Sequence, residues 1–187
     1  RQLLSHQAGL PQADTVLTWD ELLDHHAAAD RLAASRPFWH PGSAFGYHAI
    51  TIGSLGDELV FRITGRTLHE FYEQEIRAPH EVDFYLGLPP EHEDRRADVL
   101  PMIQPVSDTL VRSYSALGPL VFGSMAGDVD LGNSPRSWRY GHPAGSGAGS
   151  ARGLARLMAA AVTGVDGGQP FLSADTVEQI GQQQIRG

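Results

Sequence analysis

The chain has 187 residues, with 22 acidic and 14 basic side chains, a formal charge of −8 at pH 7 and no cysteine. The 14 basic residues are all arginine, so this chain by itself can form no P-loop, no Schiff base, no lysine-assisted nucleophile and no thiolate site. The acidic residues are spread along the chain and no apolar run reaches 18 residues, which argues against nucleic-acid binding and against a transmembrane helix.

The first predicted elements are a helix and a long loop. Thr18 and Glu21 have the spacing of a capping box, in which each residue's side chain accepts a hydrogen bond from the other's backbone N–H. The Ala- and Leu-rich run that follows predicts one helix to about Ser35. Proline and glycine residues then predict a loop over residues 36–47.

Two further helices are predicted before residue 80. Apolar residues at helical spacing predict a helix from about His48 to Gly65, where glycine is placed to end it. Thr67 and Glu70 form a second capping box, and the helix that they open must stop near Pro79. The apolar stripe of the first of these helices consists of Ile52, Leu55, Leu59 and Ile63.

The middle of the chain is predicted to be largely irregular. Residues 84–88 fit a short strand or an extended segment, residues 89–101 an exposed excursion with alternating charges, and residues 107–117 a helix. A long loop rich in Gly, Ser, Pro and Arg is predicted over residues 123–149. Its end, Gly145 to Gly149, is interpreted as a flexible helix entry rather than a phosphate-binding turn, because no strand is predicted before it.

The last part of the chain predicts two helices. Residues 150–163 are rich in Ala and Leu, and Ser173 caps a helix that runs to about Gln184. The apolar stripe of the first consists of Leu154, Leu157, Met158, Ala161 and Val162. The whole chain is therefore predicted to be mainly α-helical, with long loops and almost no strand.

No local motif supplies a complete catalytic or metal site. The chain has nine histidines, but no His-Glu pair is followed by a second histidine at metalloprotease spacing. We therefore expect no metal and no cofactor, and we expect most of the histidines to be surface or loop residues. Gly-x-Ser-x-Gly is absent, and Ser-x-x-Lys is impossible without lysine. The residues of this chain alone thus predict no nucleophile–base pair.

Three segments, in order, resemble a known family. Residues 3–11, LLSHQAGLP, resemble the LLSHTSGLP loop of the serine β-lactamase and penicillin-binding-protein family. Residues 38–47, FWHPGSAFGY, resemble its W-x-PGS-x-F-x-Y segment, and residues 65–79 resemble the continuation of that segment. Order and spacing agree over roughly residues 3–88. The nearest branch is the family VIII carboxylesterases, which are related to class C β-lactamases.

The resemblance implies a fold as well as a family. It predicts the helical subdomain of the α/β (α+β) β-lactamase/transpeptidase-like fold. Residues 1–187 would then be a partial domain that contains the tyrosine loop and the helical subdomain, without the N-terminal Ser-x-x-Lys part and the C-terminal strands. Such a chain is expected to expose the apolar face that otherwise meets the sheet, so self-association is expected.

The family's mechanism gives Tyr47 an implied role. In that family a serine attacks an ester or β-lactam carbonyl, and water then cleaves the acyl-enzyme. The resemblance implies that Tyr47 is the family's catalytic tyrosine, which lies beside the motif lysine. His48 and Ala49 are the implied substrate-binding neighbours, although Ala49 stands where β-lactamases and peptidases usually have asparagine. Three aromatic residues of the same loop are expected to pack in the core: Phe38, Trp39 and Phe45.

The resemblance therefore implies part of a bacterial serine hydrolase that cleaves small carboxylic esters, with its nucleophile outside this chain and no activity of the chain alone. A β-lactamase or D-Ala-D-Ala carboxypeptidase of the same family is one alternative, and a non-catalytic helical binding or assembly module is another. The expected partner is a small-molecule ester or amide, with no nucleic acid and no membrane span. A cytoplasmic location is expected, because residues 1–4 do not read as a signal peptide.

Overall fold

The computed structural model describes residues 1–24, 26–100 and 132–185. The helix predicted over residues 107–117 lies outside these ranges. The helices of the described part are α1 (Trp19–Leu23), α2 (Ala27–Ala34), α3 (Thr51–Thr64), α4 (Leu68–Tyr72), α5 (Pro135–Tyr140), α6 (Ala151–Val162) and α7 (Ala174–Gly181). A π-helical turn (Glu73–Arg77), a 3₁₀-helix (Pro90–Arg95) and two short strands, β1 (Phe84–Leu86) and β2 (Gly147–Gly149), lie between them.

Both predicted capping boxes are confirmed. The Thr18 side chain accepts from the Glu21 N–H while the Glu21 carboxylate accepts from the Thr18 N–H, and Thr67 and Glu70 do the same. Each box satisfies backbone donors that the start of a helix leaves open. The starts of α1 and α4 are therefore fixed by residues three positions apart, without help from the rest of the fold.

The single helix predicted from residue 19 to residue 35 is wrong, because α1 ends at Leu23 and α2 begins only at Ala27. Asp24 explains the break. Its carboxylate accepts from the backbone N–H groups of His26 and Ala27, at 2.9 and 2.8 Å. A short acidic side chain that binds nearby backbone donors competes with helical hydrogen bonding. After the break, α2 packs against α3 and also contacts α1.

The long helix α3 ends as predicted, at Gly65. This glycine has a φ of 72°, in the left-handed region that glycine adopts without a steric penalty. Its N–H donates to the Phe61 carbonyl, which the end of the helix would otherwise leave without a partner. The predicted C-terminal cap is therefore confirmed.

The buried face of α3 is small and polar. It consists of Thr51, Gly53, Ser54 and Asp57. The predicted apolar stripe turns outward at its C-terminal half, where the Ile63 side chain is 74% exposed. The helix therefore packs into the described structure through the face that is not its apolar stripe.

Helix α6 shows the same inversion. It begins next to the predicted start, and its N-cap is Ser150, whose side chain accepts from the Gly153 N–H. Its buried residues are Gly153, Ala160 and Ala161. Ala161 belongs to the predicted stripe, but three larger members of that stripe are exposed: Leu154, Met158 and Val162. Two amphipathic helices thus present large apolar side chains on the surface of the described structure.

The glycine-rich segment before α6 is a strand and not the predicted flexible helix entry. β2 pairs antiparallel with β1, with Phe84 opposite Gly149 and Leu86 opposite Gly147. A Cβ at Gly149 would lie 2.5 Å from the Asp83 carbonyl oxygen, so this close backbone approach needs glycine there. The loop predicted over residues 123–149 is therefore wrong for its described part, which also contains α5.

The described residues confirm a mainly helical chain with long loops and one two-stranded sheet. Its core is built largely from alanine, and its largest fully buried side chains are Leu32, His48 and Val82. Within the described ranges, no helix is long and apolar enough to cross a membrane.

Leu32 provides a test of this core, because its side chain is fully buried on α2. We expect Leu32→Ala to lower the free energy of unfolding by about 2–5 kcal/mol, the usual cost of a large-to-small change at a buried leucine. Urea unfolding of the chain, followed by circular dichroism, measures this change. Leu4→Ala is the matched control, because it deletes the same atoms from an exposed side chain and should change stability by less than about 0.5 kcal/mol. Equal losses in both variants would contradict the assigned core.

Candidate active site

The first two of the three segments that carry the family resemblance lie side by side in the structure. The Phe38 N–H donates to the Gly9 carbonyl at 2.8 Å, and the Gly42 N–H donates to the Gln7 carbonyl at 2.9 Å. We call residues 2–11 the first loop and residues 37–48 the second loop. Neither loop contains a helix or a strand, so these cross-connections give the backbone groups the partners that regular structure would otherwise supply.

Tyr47 lies at the end of the second loop, four residues before α3 begins. Its side chain is about half exposed, whereas Gly46 and His48 on either side are buried. The loop therefore directs the one phenol that the resemblance singled out towards the surface, while its neighbours anchor the backbone.

His48 is fully buried, and both of its ring nitrogens are bonded to backbone groups. Nδ1 donates to the Gly46 carbonyl at 2.5 Å, and Nε2 accepts from the Leu10 N–H at 3.0 Å. These bonds define a neutral ring with its proton on Nδ1. Burial lowers the pKa of His48, and the neighbouring His6 lowers it further, against the opposing effect of the Gly46 carbonyl.

His48, one of the two predicted substrate-binding neighbours of Tyr47, thus has both ring nitrogens bonded to backbone groups. A ring with both nitrogens occupied has none left to bind a substrate. Ala49, the other predicted neighbour, is also buried, and its methyl group can form no hydrogen bond. Of the three predicted site residues, the structure directs only Tyr47 outward. His48 and His142 are both loop residues, as expected for most of the histidines, but both are buried rather than exposed.

The aromatic residues of the second loop divide into two groups. Trp39 packs under the loop, where its ring lies edge-on to the His48 ring at 5.8 Å between centroids. A Cβ at Gly46 would lie 2.4 Å from the Trp39 ring, so the residue before Tyr47 must be glycine for this packing. Phe38 and Phe45 are about half exposed, and the prediction that they pack in the core is wrong. The second loop therefore packs inward through one aromatic ring rather than three.

A serine and a histidine that are far apart in sequence meet inside the molecule. Ser54 Oγ lies 3.3 Å from His142 Nε2, and both residues are buried. Sequence patterns gave no sign of this pair, because its members are 88 positions apart. Asp57 lies on the same buried face of α3, and its carboxylate accepts from the Leu68 N–H at 2.6 Å.

The geometry of this pair is structural rather than catalytic. The Ala144 N–H donates to His142 Nδ1 at 3.3 Å, so Nδ1 is an acceptor and the ring proton is on Nε2. That proton points at Ser54, whereas a general base needs an unprotonated nitrogen facing the serine hydroxyl. Burial lowers the pKa of His142 to about 4; nearby His69 lowers it as well, and Asp57 opposes the shift. The ring is therefore neutral at pH 7 and joins α3 to the segment before β2.

A pocket of about 500 Å³ lies between the β1–β2 pair, α5 and the 3₁₀-helix. Two arginines line it, and both are already paired within the chain. Arg95 contacts the Asp83 carboxylate at 2.7 Å, and Arg96 contacts the Asp98 carboxylate at 2.5 Å. None of the predicted site residues lines this pocket. Among the described residues, no three histidine, aspartate or glutamate side chains are grouped closely enough to hold a metal ion.

Paired loops that direct a tyrosine outward at the start of a long helix, in a mainly helical unit, agree with the class of protein that the loop motifs predicted. Comparison of the sequence with known families gives the same class, since the Beta-lactamase family matches residues 1–186. The chain therefore belongs to the β-lactamase family.

Individual relatives indicate which members of the family the chain resembles. The chain is 29% identical to the Esterase/beta-lactamase LipL of Mycobacterium tuberculosis, over 95% of this chain and 43% of that protein. Among solved structures, EstA from Arthrobacter nitroguajacolicus has a TM-score of 0.85 and 40% identity over 98% of this chain and 50% of that one. A family VIII carboxylesterase has a TM-score of 0.83 and 29% identity over 98% of this chain and 48% of its own.

A penicillin-binding protein homologue from Caulobacter crescentus is also similar, with a TM-score of 0.80 and 30% identity over all of this chain and 49% of its own. The chain thus spans about half the length of the relatives that it matches. These likenesses confirm the predicted family and the predicted β-lactamase/transpeptidase-like fold class.

His142 predicts an acid-sensitive fold. In the unfolded chain a histidine is protonated below about pH 6.5, whereas the folded His142 resists protonation down to about pH 4. The unfolded state therefore binds the proton first, and His142 costs the fold increasing stability as the pH falls from 6.5 towards 4, up to about 3 kcal/mol. Above pH 6.5 the ring is neutral in both states, and this effect disappears.

The measurement is urea unfolding between pH 7.5 and pH 5 for the wild type and for His142→Gln. The glutamine does not titrate in this range, so we expect the variant to be less stable at pH 7.5 but to lose less stability on acidification. Some acid sensitivity should remain in the variant, because burial also lowers the pKa values of His6 and His48. Parallel profiles for the two proteins would rule out His142 as the source.

Proposed function

We propose that this chain is part of a serine hydrolase that cleaves carboxylic esters through an acyl-serine intermediate. In this proposal Tyr47 acts as the general base. The nucleophile is the serine of a Ser-x-x-Lys motif on a part of the polypeptide outside these residues. The observation that carries the proposal is the outward phenol of Tyr47 on a loop whose adjoining residues, Gly46 and His48, are both buried and bonded. The names of LipL, as an esterase/beta-lactamase, and of the family VIII carboxylesterase support the reaction class.

A tyrosine needs electrostatic help to act as a base. A phenol has an ordinary pKa near 10, and only a nearby cation favours its ionised form at neutral pH. In the family that the chain resembles, the lysine of Ser-x-x-Lys supplies that cation. This chain has no lysine, so the proposal places both the nucleophile and the cation on the same motif outside it.

The proposal favours simple esters over β-lactams and peptides. Where β-lactamases and peptidases usually carry an asparagine amide, this chain has the buried methyl group of Ala49. A methyl group cannot donate to the carbonyl of a bound amide. A β-lactamase or D-Ala-D-Ala carboxypeptidase is the second candidate, and the similarity to LipL, an esterase/beta-lactamase, and to the penicillin-binding protein homologue favours it.

We also propose that residues 1–187 form one part of a larger domain. The apolar stripes of α3 and α6 support this, because Ile63 and Met158 are 74% and 59% exposed. The relatives have about as much chain again as this protein spans. A surface of this kind, covered by the rest of such a domain, explains why two amphipathic helices turn their apolar sides outward.

The first test is turnover by the polypeptide that carries both this chain and its Ser-x-x-Lys part. We expect Tyr47→Phe to lower kcat for p-nitrophenyl acetate by about 100- to 10,000-fold, the range in which a general base contributes, with little change in KM. Tyr85→Phe is the matched control, because it removes a phenol from β1 and should leave kcat unchanged. Unaltered turnover in Tyr47→Phe would remove Tyr47 from the mechanism.

A second measurement separates the candidate functions. A fluorophosphonate probe should label the larger polypeptide and fail to label the 187-residue chain, because the proposed nucleophile is on the other part. Absence of labelling in both would favour a non-catalytic assembly module. Hydrolysis of nitrocefin at a rate comparable with that of p-nitrophenyl acetate would favour the β-lactamase candidate over the esterase.

The exposed stripes predict the behaviour of the chain alone. We expect the isolated chain to bind the dye ANS and to self-associate in light scattering after size exclusion, since exposed apolar surface drives association. Ile63→Glu combined with Met158→Glu should reduce both signals. Monomeric, dye-free behaviour of the unsubstituted chain would contradict the partial-domain proposal.

A further inference from the structure

A single residue of the first loop holds the backbone on both sides of Tyr47. The Gly46 N–H donates to the His6 carbonyl at 3.2 Å. The His48 N–H donates to Nδ1 of the His6 ring at 3.1 Å. Gly46 and His48, the residues before and after Tyr47, are therefore both bonded to His6, which lies about 40 positions earlier in the sequence. These two bonds fix the path of the backbone through Tyr47.

The His6 ring also contacts the tyrosine directly. The two ring centroids are 5.0 Å apart with a tilt of 59° between the planes, within the range of favourable aromatic contacts. Phe45 lies on another side of the same imidazole, edge-on, at 6.1 Å. The phenol of Tyr47 is therefore bordered by a ring whose own position is set by a backbone hydrogen bond.

The backbone of His6 is unusual for a histidine. Its φ is 58°, in the left-handed region that glycine adopts freely and that other residues adopt at a cost. Glycine would relieve this strain but would remove the Nδ1 acceptor and the ring. A strained conformation that persists because its side chain makes specific contacts is a frequent feature of functional sites.

The hydrogen bond also defines the protonation of the ring. Because Nδ1 accepts from the His48 N–H, the proton of the neutral imidazole is on Nε2. Partial burial lowers the pKa of His6, which favours this neutral form. The acceptor is thus present under the conditions in which an esterase of this kind would be assayed.

We propose that His6 is a positioning residue, which sets the orientation of the Tyr47 side chain through its Nδ1 acceptor and its ring. The catalytic meaning of this inference rests on the proposed function, in which Tyr47 is the base. The positioning itself is a property of the chain, and it can be measured without turnover.

Three substitutions at His6 separate its contributions. His6→Asn keeps an acceptor at the position of Nδ1, because Oδ1 is the same number of bonds from Cβ, and asparagine tolerates the left-handed conformation. His6→Gln moves the acceptor one bond further out. His6→Gly relieves the strain but removes acceptor and ring. His40→Asn is the matched control, since this exposed histidine of the second loop bonds only to the adjoining Pro41 carbonyl through its ring.

The first measurement is ¹⁹F NMR of the chain labelled with 3-fluorotyrosine, in which Tyr47→Phe identifies the Tyr47 signal by its loss. We expect His6→Gln and His6→Gly to shift that signal towards the value of free 3-fluorotyrosine, and His6→Asn to shift it less. His40→Asn should leave it in place. The other tyrosine signals should stay unchanged in all four variants, which distinguishes a local reorientation from a loss of fold.

The second measurement is turnover by the polypeptide that also carries the Ser-x-x-Lys part. We expect His6→Gln and His6→Gly to lower kcat by about 10- to 100-fold with KM nearly constant, because a misplaced catalytic group costs rate rather than binding. His6→Asn should restore kcat to within about 3-fold of the wild type, as recovery of the acceptor requires. If glycine lowers stability too far, the Asn and Gln pair decides the result.

The outcomes distinguish the positioning role of His6 from the proposed role of Tyr47 as the base. A Tyr47 signal that stays in place in both His6→Gln and His6→Gly would overturn the positioning role. Wild-type kcat in both variants would overturn it as well, provided that Tyr47→Phe lowers turnover. If Tyr47→Phe keeps full turnover, the proposed function fails, while the NMR result still decides whether His6 orients Tyr47.

Discussion

The geometry around Tyr47 depends on two histidine rings that replace secondary structure. The first and second loops contain no helix or strand, so their buried backbone groups need other partners. His48 joins the Gly46 carbonyl to the Leu10 N–H, and His6 joins the backbone on both sides of Tyr47. His48 does this with the one donor and one acceptor of its neutral ring, whereas His6 uses its backbone carbonyl and the Nδ1 acceptor of its ring. Irregular backbone thereby becomes a fixed platform for the exposed phenol.

Helix α3 connects that platform to the rest of the structure, and it does so through a polar face. Ser54 and Asp57 both face inward, where one meets the His142 ring and the other accepts a backbone N–H at the start of α4. Buried polar groups stabilise a fold only when their hydrogen bonds are made, so they specify one arrangement more strictly than apolar contacts do. This use of the inner face leaves the apolar stripe of α3 on the outside.

The outward stripes and the composition lead to the same interpretation. The chain lacks the lysine that the proposed mechanism requires beside the nucleophile, and it exposes large apolar side chains on α3 and α6. It also spans about half the length of its relatives. Under the proposed function these are three aspects of one arrangement, in which Tyr47 and the helical part meet a second part that holds the serine and the cation. Under that proposal, the chain has no lysine because it contributes only the tyrosine side of the active site.

The sequence by itself determined the features whose partners lie within a few residues. Both capping boxes, the end of α3 at Gly65 and the start of α6 at Ser150 follow from local hydrogen bonding. The loop motifs also determined the family. Only the tertiary structure decided which contacts hold the site, because the partners are 38 residues apart for His48 and Leu10 and 88 apart for Ser54 and His142. The tertiary structure likewise decided that α3 buries its small, polar face rather than its apolar stripe. It also decided that the glycines before α6 form a strand. No periodicity or short motif encodes a contact at such separations, since the three-dimensional path of the chain brings the two partners together.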